Sequence, residues 1–420
     1  MWLELELDYV VIKSSDRDKW LVTVKGLPGG GKSLTTLKCL VGYSSIFKVV
    51  YSAPLRSLRN YWGKRFGMRI VRSRDEVCPI IGNISEDDVL TYLIKCAKAC
   101  ANCNAFYCEF KELFKNFIRS SRGLFALTHK MLMILYLASP EAFKNTILII
   151  DEADSLFEQW SIVCELDKLR CLYKSGDSIT RKVVKRLAEN CLVYGKWVYF
   201  KPVVPLARVT FLVSATLIEE LLDLMPIPSL PRRTIYIKSE FKDDIAWNYR
   251  ILKWKERDLW FPKVLNLIER YCSSRVGIAS RNYALTRMIH EHLEASFKVT
   301  SDYYHRKPKD AEVIIWTTRG KWYRGVSLPD TDTIFCFYQY PLEVYEEPIN
   351  PVIMKVFVEK DIEYFKLLND ATNVQSYFRS NRVRNKKHLI VFLDARGYHA
   401  FNEVFPYKWV SGCTRRVVTI

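Results

Sequence analysis

Glutamine is almost missing from this chain: its 420 residues hold only Gln159, Gln339 and Gln375. Avoidance of heat-labile amides is a trait of hyperthermophile proteins, so an archaeal or archaeal-virus source is one expectation. No run of about 18 uncharged apolar residues occurs, which argues against a membrane span. The opening stretch, Met1-Trp2-Leu3-Glu4-Leu5-Glu6, alternates apolar and acidic residues and lacks the basic start and apolar core of a secretory signal. A soluble, cytoplasmic protein with no membrane partner is therefore expected. Internal repeats and low-complexity tracts are also lacking.

Positive charge, by contrast, is plentiful. Lys and Arg number 64 against 46 Asp and Glu, for a formal charge of +18. A surplus of this size attracts polyanions, of which nucleic acid is the usual one, or it serves solubility alone. Twelve cysteines in an intracellular chain argue against a disulfide framework. Five of them, Cys78, Cys96, Cys100, Cys103 and Cys108, crowd into one short segment; the other seven are scattered, as small buried hydrophobes are.

Short apolar runs alternate with helical stretches, the pattern of an α/β protein. Trp20 to Lys25, Ile147 to Ile150 and Phe211 to Val213 form one set of candidate buried strands. Val276 to Ala279, Val313 to Trp316, Ile334 to Phe337 and Leu389 to Leu393 form a second. Continuous apolar runs of this kind mark parallel strands covered on both faces. Two sheet domains follow, over residues 1–240 and 241–420, joined near 235–250.

Gly26-Leu27-Pro28-Gly29-Gly30-Gly31-Lys32-Ser33 fits the phosphate-binding loop G-x-x-x-x-G-K-S/T. Glycines let several backbone N–H groups converge on one phosphate, and the helix opening near Lys32 adds the positive end of its dipole. Lys32 is placed to reach the β- and γ-phosphates and Ser33 to hold Mg²⁺. The alternative is a chance Gly-rich turn, but this one follows a strand and opens a helix. Asp151-Glu152-Ala153-Asp154 ends the Ile147 run. There Asp151 can hold the Mg²⁺ shell and Glu152 can polarise an attacking water. Taken alone, paired acids after a strand are as often a solvated helix cap.

The order of motifs resembles superfamily-two helicases, and more closely the XPD/DinG group. Ser52 to Leu58 resembles motif Ia, and Ala126 to Leu132 the segment that follows the group's cluster domain. Asp151 to Asp154 resembles motif II and Ser214-Ala215-Thr216 motif III. Arg319 to Pro329 resembles motif V, and Gln375 to Arg382 motif VI, usually Q-x-x-G-R-x-x-R. The resemblance implies two tandem RecA-like P-loop domains with a small Cys-rich insertion in the first, over residues 75–120. It makes ATP the triphosphate and Gln375, Arg379 and Arg382 catalytic partners from the second domain. Arg56, Thr128 and His129 become contacts to the nucleic-acid backbone. Guanidinium suits the arginine role because it is always charged and presents a planar fork to phosphate oxygens.

In that group a 4Fe-4S domain lies between motifs Ia and II, which implies Cys78, Cys100, Cys103 and Cys108 as ligands, with Cys96 a competitor. Spacing alone leaves a Cys₄ zinc site and plain packing open. Residues 155–210 are too few for the group's arch domain, so a short helical insert is expected there. Several residues depart from the pattern: Asp154 stands for the usual His, Arg324 and Ser327 for an acidic pair, and Phe378 for Gly.

The implied activity is an ATP-dependent DNA helicase moving 5′ to 3′ on single-stranded or forked DNA, with replication or repair proteins as partners. Two rivals stand beside it: an RNA-dependent ATPase, which Asp154 would spell, and a nucleic-acid-binding scaffold with weak turnover. Tyr249 to Lys255 and Tyr303 to Arg306 interleave aromatic and basic residues, as stacking surfaces do, although such stretches are common on any basic domain.

Overall fold

The computed structural model describes residues 2–15, 18–26, 30–78, 80, 89–103, 107–158, 162–200, 204–217, 222, 230–237, 243–318, 320, 322, 328–339, 363–378, 387–405 and 414–418. Arg379, Arg382, Gly29 and the motif V residues Arg319, Lys321 and Tyr323 to Ser327 lie outside them.

Two seven-stranded sheets, all parallel, account for the framework. The first combines β1 (Trp20–Lys25), β2 (Lys48–Ala53), β3 (Arg69–Ile70), β4 (Gly123–Thr128), β5 (Thr146–Asp151), β9 (Val209–Val213) and β10 (Arg232–Tyr236) in the order β10-β1-β9-β5-β2-β4-β3. The second combines β11 (Asp244–Trp247), β12 (Val276–Ser280), β13 (Val299–Ser301), β14 (Val313–Thr317), β15 (Thr333–Cys336), β16 (Leu389–Phe392) and β17 (Arg415–Val417) in the order β13-β14-β12-β15-β16-β11-β17. The chain is thus α/β, with strands where the apolar runs stand.

Burial explains why those runs are continuous. Every residue of β2, β5, β12 and β14 is buried, because helices cover both sheet faces. Successive side chains point to opposite sides, so β5 feeds two cores. Ile147 and Ile149 join the one containing Leu37 and Leu40; Leu148 and Ile150 join the one containing Leu132 and Phe143. In the second sheet Val313 and Ile315 face one core, Ile314 and Trp316 the other.

A third, antiparallel sheet lies in the insert, with β6 (Ile162–Glu165), β7 (Cys191–Tyr194) and β8 (Trp197–Phe200) in the order β6-β8-β7. The insert expected to be helical is therefore half sheet, with the helices Leu166–Ser175 and Ser178–Glu189 packed on it. Its core is shared with the cysteine-bearing helix Val89–Ala101: Leu90 and Ile94 pack with Val163, Leu169, Val184, Leu187 and Val198. Lys98 pairs with Asp177 at 2.7 Å. Among the described residues, no helix is long and apolar enough to cross a membrane.

Candidate nucleotide site

The strand order sets β1, β9 and β5 side by side, so the residues after their carboxyl ends meet at one edge. Gly31 caps the helix Lys32–Leu40 with φ 76°, a left-handed geometry that favours glycine. Lys32, the first helical residue, is buried and its Nζ donates to the Gly26 carbonyl at 3.1 Å. Burial lowers its pKa to about 8, against the opposing pull of Asp151, Glu152 and Asp154.

Ser33 Oγ donates to Asp151 Oδ1 at 2.7 Å. Asp151 also accepts from Tyr51 Oη at 2.8 Å and from the Glu152 N–H at 3.1 Å. Burial, then the neighbouring Glu152, raises the Asp151 pKa to about 6 even though Ser33, Tyr51 and Lys32 favour the charged form. Glu152 adopts φ 48°, and among the described residues no other non-glycine has positive φ. Such a conformation costs about 1–3 kcal/mol and persists only where surroundings impose it. Its Oε2 is buried without a hydrogen-bond partner. The adjacent Ser33 hydroxyl and Asp151 carboxylate are hard oxygen donors of the kind that suit a divalent cation such as Mg²⁺.

Asp154 extends the site towards β9. Its Oδ1 accepts from Ser214 Oγ at 2.7 Å and its Oδ2 from Thr216 Oγ1 at 3.3 Å. The last acid of the Asp-Glu-Ala-Asp run is thus bonded to the Ser-Ala-Thr segment.

The expected nucleic-acid contacts divide. Arg56 is half-exposed and ion-paired with Asp75. Thr128 is buried and its Oγ1 accepts from the Met131 N–H, capping the helix His129–Ala138. His129, expected at the nucleic-acid backbone, is fully buried. Its Nδ1 meets Ser52 Oγ at 2.7 Å and its Nε2 meets the Asp151 carbonyl at 2.9 Å. A carbonyl only accepts, so the neutral ring carries its proton on Nε2. His129 therefore braces β2 against β5 beneath Asp151. Neither this role nor that of Tyr51 had a signal in the sequence, since the partners lie far apart along the chain.

Gln375 stands near the end of the helix Glu363–Tyr377 and is partly buried. Its neighbours tie the helix to β14: Trp316 Nε1 donates to the Ser376 carbonyl at 2.9 Å and Thr318 Oγ1 to Ser376 Oγ at 3.1 Å. Phe378, where the group has Gly, is buried against Phe401 and Phe405.

Among the described residues, no three of His, Cys, Asp or Glu gather as a metal-holding group. Cys78 ends the helix Arg74–Val77, Cys100 and Cys103 lie at the end of the helix Val89–Ala101, and Cys108 caps the helix Glu109–Arg119. Among the described residues, the expected iron–sulfur or zinc ligands are thus not brought together.

No protein-family model and no curated protein matches the sequence. Solved structures do match. The structure of an XPD helicase is similar with TM-score 0.62 and 14% identity, over 99% of this chain and 99% of that one. The structure of S. tokodaii Xpd4 is similar with TM-score 0.59 and 12% identity, over 100% of both chains. At these identities the likeness concerns the fold alone: two tandem RecA-like domains.

Proposed function

We propose that the chain is an ATP-driven motor that moves along single-stranded DNA, 5′ to 3′, and separates duplex. One observation carries the reading: Lys32, the Ser33–Asp151 pair and the Asp154–Ser214 link converge at the ends of three adjacent parallel strands. Residues 1–240 form the nucleotide wall in this reading, and residues 241–420 supply Gln375, Arg379 and Arg382 to the γ-phosphate on closure. ATP then favours the closed state, and hydrolysis releases it, which is what a ligand must do to shift a conformational equilibrium.

Lys32 would leave the Gly26 carbonyl for the phosphates. Ser33 and Asp151 would hold Mg²⁺, which supplies charge neutralisation at the β- and γ-oxygens. Glu152, with one carboxylate oxygen unengaged, would orient and deprotonate the attacking water. Asp154 would report the state of the site to β9 through Ser214 and Thr216. The Asp154 spelling also favours an RNA-dependent form of the same engine. The resemblance to the XPD/DinG group carries the reading of an iron–sulfur cluster on Cys78, Cys100, Cys103 and Cys108, with zinc as the alternative; iron, zinc and acid-labile sulfide analysis of anaerobically purified protein tests it.

Strand displacement on forked duplexes with DNA or RNA overhangs of either polarity tests the function. ATP-dependent unwinding of the fork with a 5′ DNA overhang is expected. Absence of unwinding on every fork contradicts the reading.

A further inference from the structure

The second sheet carries a line of exposed rings. Tyr249, Trp254, Tyr283, Tyr303 and Tyr304 are 55, 41, 37, 38 and 47% exposed. Tyr249 follows β11, Tyr283 follows β12, and Tyr303 and Tyr304 follow β13, so these rings stand beyond the carboxyl ends of parallel strands. Ligands of open α/β sheets bind at that edge. Single exposed aromatics are ordinary, but Tyr283, Tyr303 and Tyr304 are in ring contact with one another in series.

The Arg281 guanidinium lies 4.3 Å from the Trp254 ring, two residues before Tyr283. Tyr283 is 6.1 Å from Tyr303, and Tyr303 meets Tyr304 edge-on at 4.8 Å. Tyr304 Oη donates to Glu291 Oε1 at 2.8 Å and its ring lies 4.5 Å from His290. Exposed Arg306 and Lys307 follow directly. Tyr303 and Arg306 stood out in the sequence; Arg281 and Tyr283 did not, because the fold alone brings β12 and β13 to the same edge.

The strip has a rigid base. Asp302, immediately before Tyr303, is fully buried and accepts from the Thr317 N–H at 3.0 Å and from Thr317 Oγ1 at 2.9 Å. A Cβ on Gly320 would lie 2.2 Å from Asp302 Oδ2, so this turn requires glycine there. The turn Thr317 to Gly320 opens the segment that resembles motif V, and Thr318 bonds Ser376 beside Gln375. Rings held this way lose little conformational freedom on binding.

We propose that Tyr283, Tyr303 and Tyr304, flanked by Trp254, form a base-stacking strip for single-stranded nucleic acid. The inference rests on the motor reading for its ligand class. Stacking accepts every base, because each has a π-face, and the neighbouring cations suit the phosphates.

The test is fluorescence anisotropy of the full chain, without nucleotide, on oligo-dT, oligo-rU and an abasic deoxyribose-phosphate strand of equal length. Wild-type protein is expected to bind dT at least about tenfold more tightly than the abasic strand. The pair Tyr303→Leu with Tyr304→Leu should lose about tenfold or more on dT while keeping its abasic affinity, and Tyr303→Phe with Tyr304→Phe should retain the wild-type preference. Retained abasic binding shows that the leucine pair is folded; if it unfolds, the wild-type ratio of dT to abasic decides alone. The dT and rU arms identify the preferred sugar. Equal wild-type affinity for dT and abasic strands, or a folded leucine pair that still prefers dT, overturns the strip and leaves the motor reading standing. Wild-type protein that binds no strand at all removes the motor reading, and the strip with it.

Discussion

Ser214 Oγ donates a 2.7 Å hydrogen bond to Asp154 Oδ1, tying the end of β9 to the turn after β5. Thr216 adds a second, longer bond to the same carboxylate. Replacing Ser214 and Thr216 with Ala removes two donors from a buried charge, at a cost of about 1–3 kcal/mol in stability. The Ser33–Asp151 pair is untouched, so single-turnover hydrolysis should fall by less than about tenfold. Strand displacement should be lost. Equal loss in both assays would show that the link serves the chemistry itself.

The Asp151 carboxyl links stability to pH. Its folded pKa, about 6, lies above the usual carboxylate value, so the folded state holds the proton more tightly than the unfolded chain does. Stability from this group is therefore complete at low pH and declines as pH rises from about 4 to 6, by up to about 3 kcal/mol. Asp151→Asn should abolish turnover while flattening that part of the urea-stability profile. An unchanged profile would contradict the assignment.

Arg59 is 1% exposed and its guanidinium grips Glu76 with bonds of 2.6 and 2.8 Å. Burial alone would raise the Glu76 pKa, but Arg59 and Ser73 bring it down to about 2. Glu76→Ala strands a buried cation and should cost about 3–5 kcal/mol. Adding Arg59→Met should restore much of the loss, as melting temperatures of the single and double variants would show.

His388, fully buried, touches Asp243 at 2.9 Å and Asp330 at 3.1 Å. Burial lowers its pKa, yet the two carboxylates outweigh that and the net shift is upward. Its contribution is full below the ordinary histidine pKa and is lost as pH rises through the higher folded value. Thermal stability should decline from neutral into mildly alkaline pH, and Asp330→Asn should shift the decline to lower pH.

The sheets were legible because parallel strands covered on both faces must read as apolar runs, as Ile147 to Ile150 does. The turn into the helix at Lys32 was legible because a glycine run directly before Lys-Ser leaves the chain few other local conformations. The bonds of His129 were not legible, since its partners Ser52 and Asp151 come from other strands and no local pattern announces them. The insert was read as helical because β7 and β8 are only four residues each and share their core with the distant helix Val89–Ala101. Phe378 looked like an eroded motif; its ring instead fills the space between two helices of the second domain.

The most direct test of the central claim is steady-state ATP hydrolysis with and without single-stranded DNA, by wild-type protein and Lys32→Ala at equal folded concentration. Hydrolysis that DNA stimulates is expected in the wild type, and none in the variant. Hydrolysis that survives Lys32→Ala, or none in the wild type with any strand, would contradict it.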